Sequence, residues 1–206
     1  MITITAFAWV PPPIQGWVRD YRVRWALEEA GLPYQVKPIT FADQATAEYR
    51  AMQPFGQVPA LIDGDIELFE SGAIVLHIAD RSPALMPEAA SDRARVTAWI
   101  FAALNSLEPF VLAYSMTKGE AAWEQIASKR LRSLADVLRD REFLVGNRFT
   151  AADLMVASVL RINSGTEIIE REPVVTAFVA RCTARPSFQK AIADQLATFA
   201  AHQPPV

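Results

Sequence analysis

A single cysteine, Cys182, leaves no partner for an internal disulfide, so nothing in this chain of 206 residues is stapled covalently. It lies in a helical pattern and reads as a small buried hydrophobe rather than a reactive thiol. The two histidines, His77 and His202, show no metal-ligand spacing, which argues against a metal centre. Charge of one sign is also missing. Twenty Lys and Arg against 23 Asp and Glu give a net charge of −3, so neither nucleic acid nor an anionic membrane is indicated as a partner. The basic stretches 19–24 and 129–139 read as solvated helix faces. No basic segment precedes an apolar run near the start, so no secretory leader is expected, and a reducing cytoplasm is the expected compartment. The longest apolar stretch, 98–116, is broken by Asn105, Glu108 and Pro109 and reads as a buried helix rather than a membrane span. What remains is ordinary for a soluble globular protein: 51% apolar and 21% charged residues, enough for a sizeable core.

Two kinds of pattern divide the chain. Residues 2–7 are β-branched with period two and predict a strand. Pro11-Pro12-Pro13 predicts an extended loop, and a helix follows from about Trp17 to Glu29, stopped by Gly31 and Pro33. Residues 34–39 predict an edge strand because of Pro38, and 45–52 a short helix. Residues 59–62 and 66–69 flank Asp63-Gly64-Asp65, a hairpin signal, and 70–79 is helical. Residues 81–90 contain Pro83 and Pro87 and predict a linker. Beyond it every pattern is helical: 96–114 with a kink at Pro109, 123–138, 150–162, 174–183 and 187–200. Strands followed by a run of helices predict a two-domain α+β/all-α chain, with an α/β domain over 1–80 and an all-helical domain over 91–206.

Three motifs carry chemistry or folding information. In Gln53-Pro54-Phe55-Gly56-Gln57-Val58-Pro59, a cis bond before Pro59 would turn the Val58 N–H and C=O outward as a strand edge for a peptide; an ordinary trans-proline entering an edge strand is the alternative. Glu70-Ser71 stands at a helix start, where free N–H groups favour a carboxylate, Ser71 adds a donor and Glu70 can hold an ammonium; a simple cap is the alternative. Phe149-Thr150-Ala151-Ala152-Asp153-Leu154 has the form of a capping box with a staple, which is a folding device.

In this order and at these spacings the motifs resemble those of cytosolic glutathione S-transferases of bacterial type. The run from Arg22 to Tyr34 is similar to their first helix, Gln53 to Pro59 to their Asn-Pro-x-Gly-x-Val-Pro turn with Gln53 where Asn is usual, and Glu70-Ser71 to their Glu-Ser pair. Thr150 and Asp153 resemble the cap of a buried helix in their second domain. The resemblance implies a thioredoxin-like glutathione-binding domain followed by the family's helical domain. It implies that Val58 pairs with the cysteinyl backbone of glutathione across cis-Pro59, that Glu70 and Ser71 hold its γ-glutamyl end, and that Gln57 reaches its glycyl end. A homodimer acting on a small hydrophobic electrophile, with glutathione as co-substrate, is implied as well.

The resemblance breaks at the thiol-activating residue. Where many bacterial relatives have Ser or Cys, this chain has Trp17, preceded by Gly16. Where Tyr-type enzymes place their tyrosine, it has Phe7, Ala8 and Trp9. Arg19 by its charge, and the first N–H groups of the helix near Trp17 and Val18, are the candidate substitutes. Trp17 reads either as a wall of the second-substrate pocket or as packing. The loop 8–16 is long and stiffened by three prolines. In the helical domain Trp99, Phe101, Phe110, Tyr114 and Met116 are candidates for the opposite wall, most of them expected in the core. A non-catalytic glutathione-binding or assembly module with the same fold remains the second reading.

Overall fold

The computed structural model describes residues 1–202. Strand β1 (Ile2–Phe7) is followed by helix α1 (Asp20–Ala30), strand β2 (Tyr34–Ile39), helix α2 (Ala47–Met52), the hairpin β3 (Ala60–Asp63) and β4 (Ile66–Phe69), and helix α3 (Ser71–Ala79). The strand order is β2-β1-β3-β4. β1 and β2 run parallel, joined through α1, while β1–β3 and β3–β4 are antiparallel. β2 lies at an edge, as Pro38 requires. Val23, Ala26 and Leu27 of α1 and Ile74, Val75 and Ile78 of α3 are buried, and the two helices pack together. α1 closes on Gly31, whose φ of 63° few other residues adopt readily; Leu32 N–H returns to Leu27 C=O at 3.0 Å.

Two expectations for this half need correction. α1 starts at Asp20, three residues after Trp17, because the chain from Trp17 to Arg19 forms turns first. The three prolines do not hold an extended loop. Pro12–Ile14 is a single 3₁₀ turn, with Ile14 N–H on Pro11 C=O at 3.0 Å. A proline φ suits the first turn of a helix, and its missing N–H costs nothing there. Gln15 Nε2 donates to Val10 C=O at 2.9 Å, and Val10 is fully buried, so the loop is anchored.

Further along are α4 (Ala90–Ala102), α5 (Glu108–Met116), α6 (Ala121–Leu138), α7 (Ala151–Leu160), α8 (Glu167–Glu170), α9 (Pro173–Thr183) and α10 (Pro186–Ala200). Between α4 and α5 the helix widens into a π turn over Ala103–Leu107, which ends two residues before Pro109. The irregularity expected at Pro109 therefore sits in the preceding turn, where the proline ring displaces the carbonyls it cannot bond. Every residue of α7 is buried, and α4 and α9 pack on it. Its Thr150–Asp153 capping box forms as expected. Asp153 Oδ2 accepts from Thr150 N–H at 2.8 Å and from the Thr150 hydroxyl at 2.9 Å, and Oδ1 accepts from Leu144 N–H at 2.8 Å. Burial pushes the Asp153 pKa up to about 6 although these bonds favour its ionised form. Cys182 is buried, as expected of a small hydrophobe.

The chain forms two compact units, Met1–Arg81 with the segment from Pro186 on, and Ser82–Arg185. The α10 segment, assigned by sequence to a helical domain over 91–206, joins the first unit. Its Phe188 ring lies 4.9 Å from Trp25 and 6.3 Å from Tyr21, both on α1. Residues 81–90 are not a free linker either. Leu85 and Met86 are buried, Ala151 N–H donates to Leu85 C=O at 3.0 Å, and Arg148 donates to Pro83 C=O.

Candidate functional site

The β3–β4 register assembles the first part of the site. Ala60 pairs with Phe69, so Pro59 and Glu70, one residue further out on each strand, emerge at the same end of the hairpin. The Val58–Pro59 bond is cis. Among the described residues the Val58 N–H and C=O have no hydrogen-bond partner, although the residue is buried. A buried peptide group left unpaired is uncommon in folded proteins, and here it leaves a strand-like edge free. The turn leading to it is rigid. Gln53 Oε1 accepts from Phe55 N–H at 2.8 Å, doing with a longer side chain what Asn does in such turns, and Gly56 N–H donates to Gln53 C=O at 2.9 Å. Gly56 has φ +62°, and a Cβ there would meet the Gln44 carbonyl oxygen at 3.0 Å, so the position demands glycine. Gln57 is exposed beside Val58.

The second part is the start of α3. Glu70 holds φ 69° and ψ 116°, outside the regions open to ordinary residues. Its side chain makes no capping bond, so the simple-cap alternative does not describe it. Such a conformation costs about 1–3 kcal/mol and persists where the surroundings enforce it. Glu70 is exposed, while Ser71, the first residue of α3, is buried. Arg22 Nη1 donates to Ser71 Oγ at 3.4 Å, tying the first turn of α1 to the first turn of α3. The first turns of two helices, each carrying partial positive charge at its N-terminus, are thus bridged by one side-chain hydrogen bond. Arg22 and Arg24, read from sequence as part of a solvated face, are both buried. The signal missed was the apolar neighbourhood Val23-Trp25-Ala26-Leu27, which carries that stretch into the core. At the opposite end of the hairpin, Asp63 receives His77 Nε2 at 3.0 Å and Arg81, and these bonds, His77 foremost, hold its carboxyl below the usual range.

Trp17 and Arg19 sit on the turns before α1. Trp17 is 42% exposed, and its N–H is taken up by Ile14 C=O at 3.1 Å. The expectation that helix amides near Trp17 are open therefore fails for Trp17 itself. Arg19 is exposed at the N-cap of α1. Next to it Asp20 is buried and its pKa is raised by desolvation, while Arg24 Nε at 2.8 Å and Gln195 Nε2 at 2.5 Å oppose that rise. Gln195 also donates to Val18 C=O at 2.8 Å, so α10 fixes the approach to α1.

The sequence matches the family description "Glutathione S-transferase, N-terminal domain" over residues 13–80 and "Glutathione S-transferase, C-terminal domain" over 108–195. Glutathione S-transferase 1 of Zea mays is 34% identical over 192 residues, covering 84% of this chain and 90% of its own. The chain belongs to the glutathione S-transferase family.

A glutathione S-transferase of Hyoscyamus muticus is 30% identical over 194 residues, with 83% and 91% of the two chains covered. Among solved structures, a glutathione transferase family member from Pseudomonas fluorescens with two glutathione molecules bound is 25% identical with a TM-score of 0.76, covering 93% of this chain and 92% of that one. Ure2p in complex with glutathione has the same fold at 21% identity, with a TM-score of 0.78 and coverage of 93% and 92%. The similar proteins thus include plant as well as bacterial glutathione transferases. Within the helical unit, Trp99, Phe110 and Tyr114 are half-buried, and Phe101 and Met116 are exposed. None is a core residue, contrary to the expectation for most of them. Of the helical repeat over 96–114, the buried positions are Val96, Ile100, Ala103 and Leu107, together with Val111.

Proposed function

We propose that this member of the glutathione S-transferase family binds glutathione at the Val58–Ser71 end of the hairpin and activates its thiol for attack on a small apolar electrophile. The observation that carries the reading is the open Val58 peptide edge one hairpin position from a strained Glu70. In this reading Val58 pairs with the cysteinyl backbone across Pro59. Ser71 and the α3 amides receive the γ-glutamyl carboxylate, Glu70 receives its ammonium, and Gln57 approaches the glycyl end. The names of the plant relatives and the glutathione bound in the bacterial neighbour support the same substrate. They also weigh against a purely non-catalytic assembly module.

The thiol then lies toward the α1 turns. With Trp17 in place of a hydroxyl or thiol residue, Arg19 is the candidate that favours the thiolate by charge, and the exposed Trp17 ring flanks the apolar substrate. Lowering the thiol pKa by two units raises the thiolate fraction near neutral pH up to about a hundredfold. The protein acts in the cytoplasm as a homodimer in this proposal, and light scattering checks the latter. Calorimetric titration with glutathione tests the site. Ser71→Ala should bind about tenfold to a hundredfold more weakly, as loss of one hydrogen bond to a charged group implies, while remaining folded. Equal affinity in both proteins would remove Ser71 from the site.

A further inference from the structure

A buried chain of hydrogen bonds encloses the Val58–Pro59 peptide, and none of its side chains touches the proposed ligand positions. Ala60 N–H donates to Thr5 Oγ1 at 2.8 Å, Thr5 Oγ1 lies 2.9 Å from Tyr49 Oη, and Tyr49 Oη donates to Gln57 C=O at 2.7 Å. The carbonyl can only accept, so the Tyr49 proton points to Gln57. The Thr5 proton must then point to Tyr49, leaving the Thr5 oxygen to accept from Ala60. Each hydroxyl donates once and accepts once in one direction, an arrangement in which neighbouring bonds polarise one another.

The chain starts and ends on the two residues that flank Val58 and Pro59. It runs through the central strand, where Thr5 is 1% exposed, and through α2, where Tyr49 is 7% exposed. The Tyr49 ring packs with Ile39 and Val58, and with Phe7, Val18 and Met52 around them. A phenylalanine would fill that space equally well, so the hydroxyl adds nothing to the core. What it adds is a fixed position for Gln57 C=O. With Gln57 C=O and Ala60 N–H pinned, the peptide groups between them are held in one orientation while the Val58 N–H and C=O stay open.

We propose that Thr5 and Tyr49 are positioning residues that set the Val58 peptide edge for the cysteinyl backbone of glutathione. The proposal rests on reading Val58 as that edge. Preorganisation of this kind lowers the ordering cost that a ligand otherwise bears on binding. Losing it weakens glutathione binding without altering the reacting groups.

The test is steady-state kinetics and glutathione titration on Tyr49→Phe, Thr5→Val, their double variant and Thr5→Ser, with Ser71→Ala as reference. Tyr49→Phe and Thr5→Val should each raise the KM for glutathione about fivefold to tenfold, the effect of one lost hydrogen bond, with kcat at saturating glutathione within about twofold of wild type. The double variant should resemble the singles, because one chain is broken in each case. Thr5→Ser keeps the hydroxyl and should restore the wild-type KM, which a merely packing role of the residue would not. An unchanged KM in both single variants, with Ser71→Ala weakened, would overturn the positioning role and leave the binding site standing. No saturable binding by wild type would overturn the Val58 reading and this proposal together.

Discussion

Replacing Asp153 by Asn removes one buried charge and one acceptor at a time when both can be counted. The carboxylate is fully buried and accepts from Leu144 N–H, Thr150 N–H and the Thr150 hydroxyl. Asn keeps one oxygen for these three donors and turns an amide toward another. Asp153→Ala leaves two backbone N–H groups without a buried partner and should cost about 2–6 kcal/mol, at about 1–3 kcal/mol each. The pH dependence separates charge from packing. The folded-state pKa of about 6 lies above the unfolded 3.8, so the folded protein holds this proton more tightly. The stability contributed by that preference is fully present below the unfolded value and is lost as pH rises through the folded one. Asn does not titrate, and the remaining carboxyls are shared by both proteins. Between about pH 7.5 and about pH 4.5 the stability of wild type relative to Asp153→Asn should increase by on the order of 2 kcal/mol, about 1.5 units at about 1.4 kcal/mol each. Urea denaturation at the two pH values, with fluorescence and circular dichroism as probes, measures it. A difference that is flat in pH, or that shrinks on acidification, would refute the account of a buried carboxyl dominated by desolvation.

Three other outcomes follow from the geometry. Glu70→Gly should relieve the left-handed φ, raising stability by about 1 kcal/mol net of the added chain entropy while weakening glutathione binding; urea midpoints and titrations on one preparation check both. Asp20→Ala should leave Arg24 buried beside Gln195 without its carboxylate and cost about 3–5 kcal/mol, read as a fall in melting temperature. Arg19→Ala should raise the pKa of bound glutathione, seen as a shift of the pH–rate profile to higher pH, with affinity nearly unchanged.

The strands, the hairpin and the Thr150 cap were legible in the sequence because each has a local cause: β-branched alternation in 2–7, Asp63-Gly64-Asp65, and a Thr–Asp pair three residues apart. The candidate site was read from the order in which Pro59, Glu70 and Ser71 follow one another, and the fold brings Pro59 and Glu70 to one end of the hairpin. What stayed hidden depends on distant partners. Arg22 and Arg24 look solvated in a charged stretch and are buried because α3 and α10 close over α1. α10 reads as another helix of the helical half, yet Phe188 and Gln195 bind it to α1 across more than 150 residues of sequence. The aromatic stripe 99–116 was assigned to the core by residue type, while the helical phase buries its aliphatic neighbours. Thr5 looks like any strand threonine, and only the fold brings it to Tyr49 and Ala60.

The central claim is that this chain binds glutathione and ionises it despite Trp17. Titration of the purified protein with glutathione near neutral pH, following the ultraviolet absorbance of the thiolate, tests it most directly. The account predicts saturable binding with thiolate absorbance appearing in proportion to occupancy. Saturable binding with no thiolate would contradict the activation, and no binding at all would contradict the site.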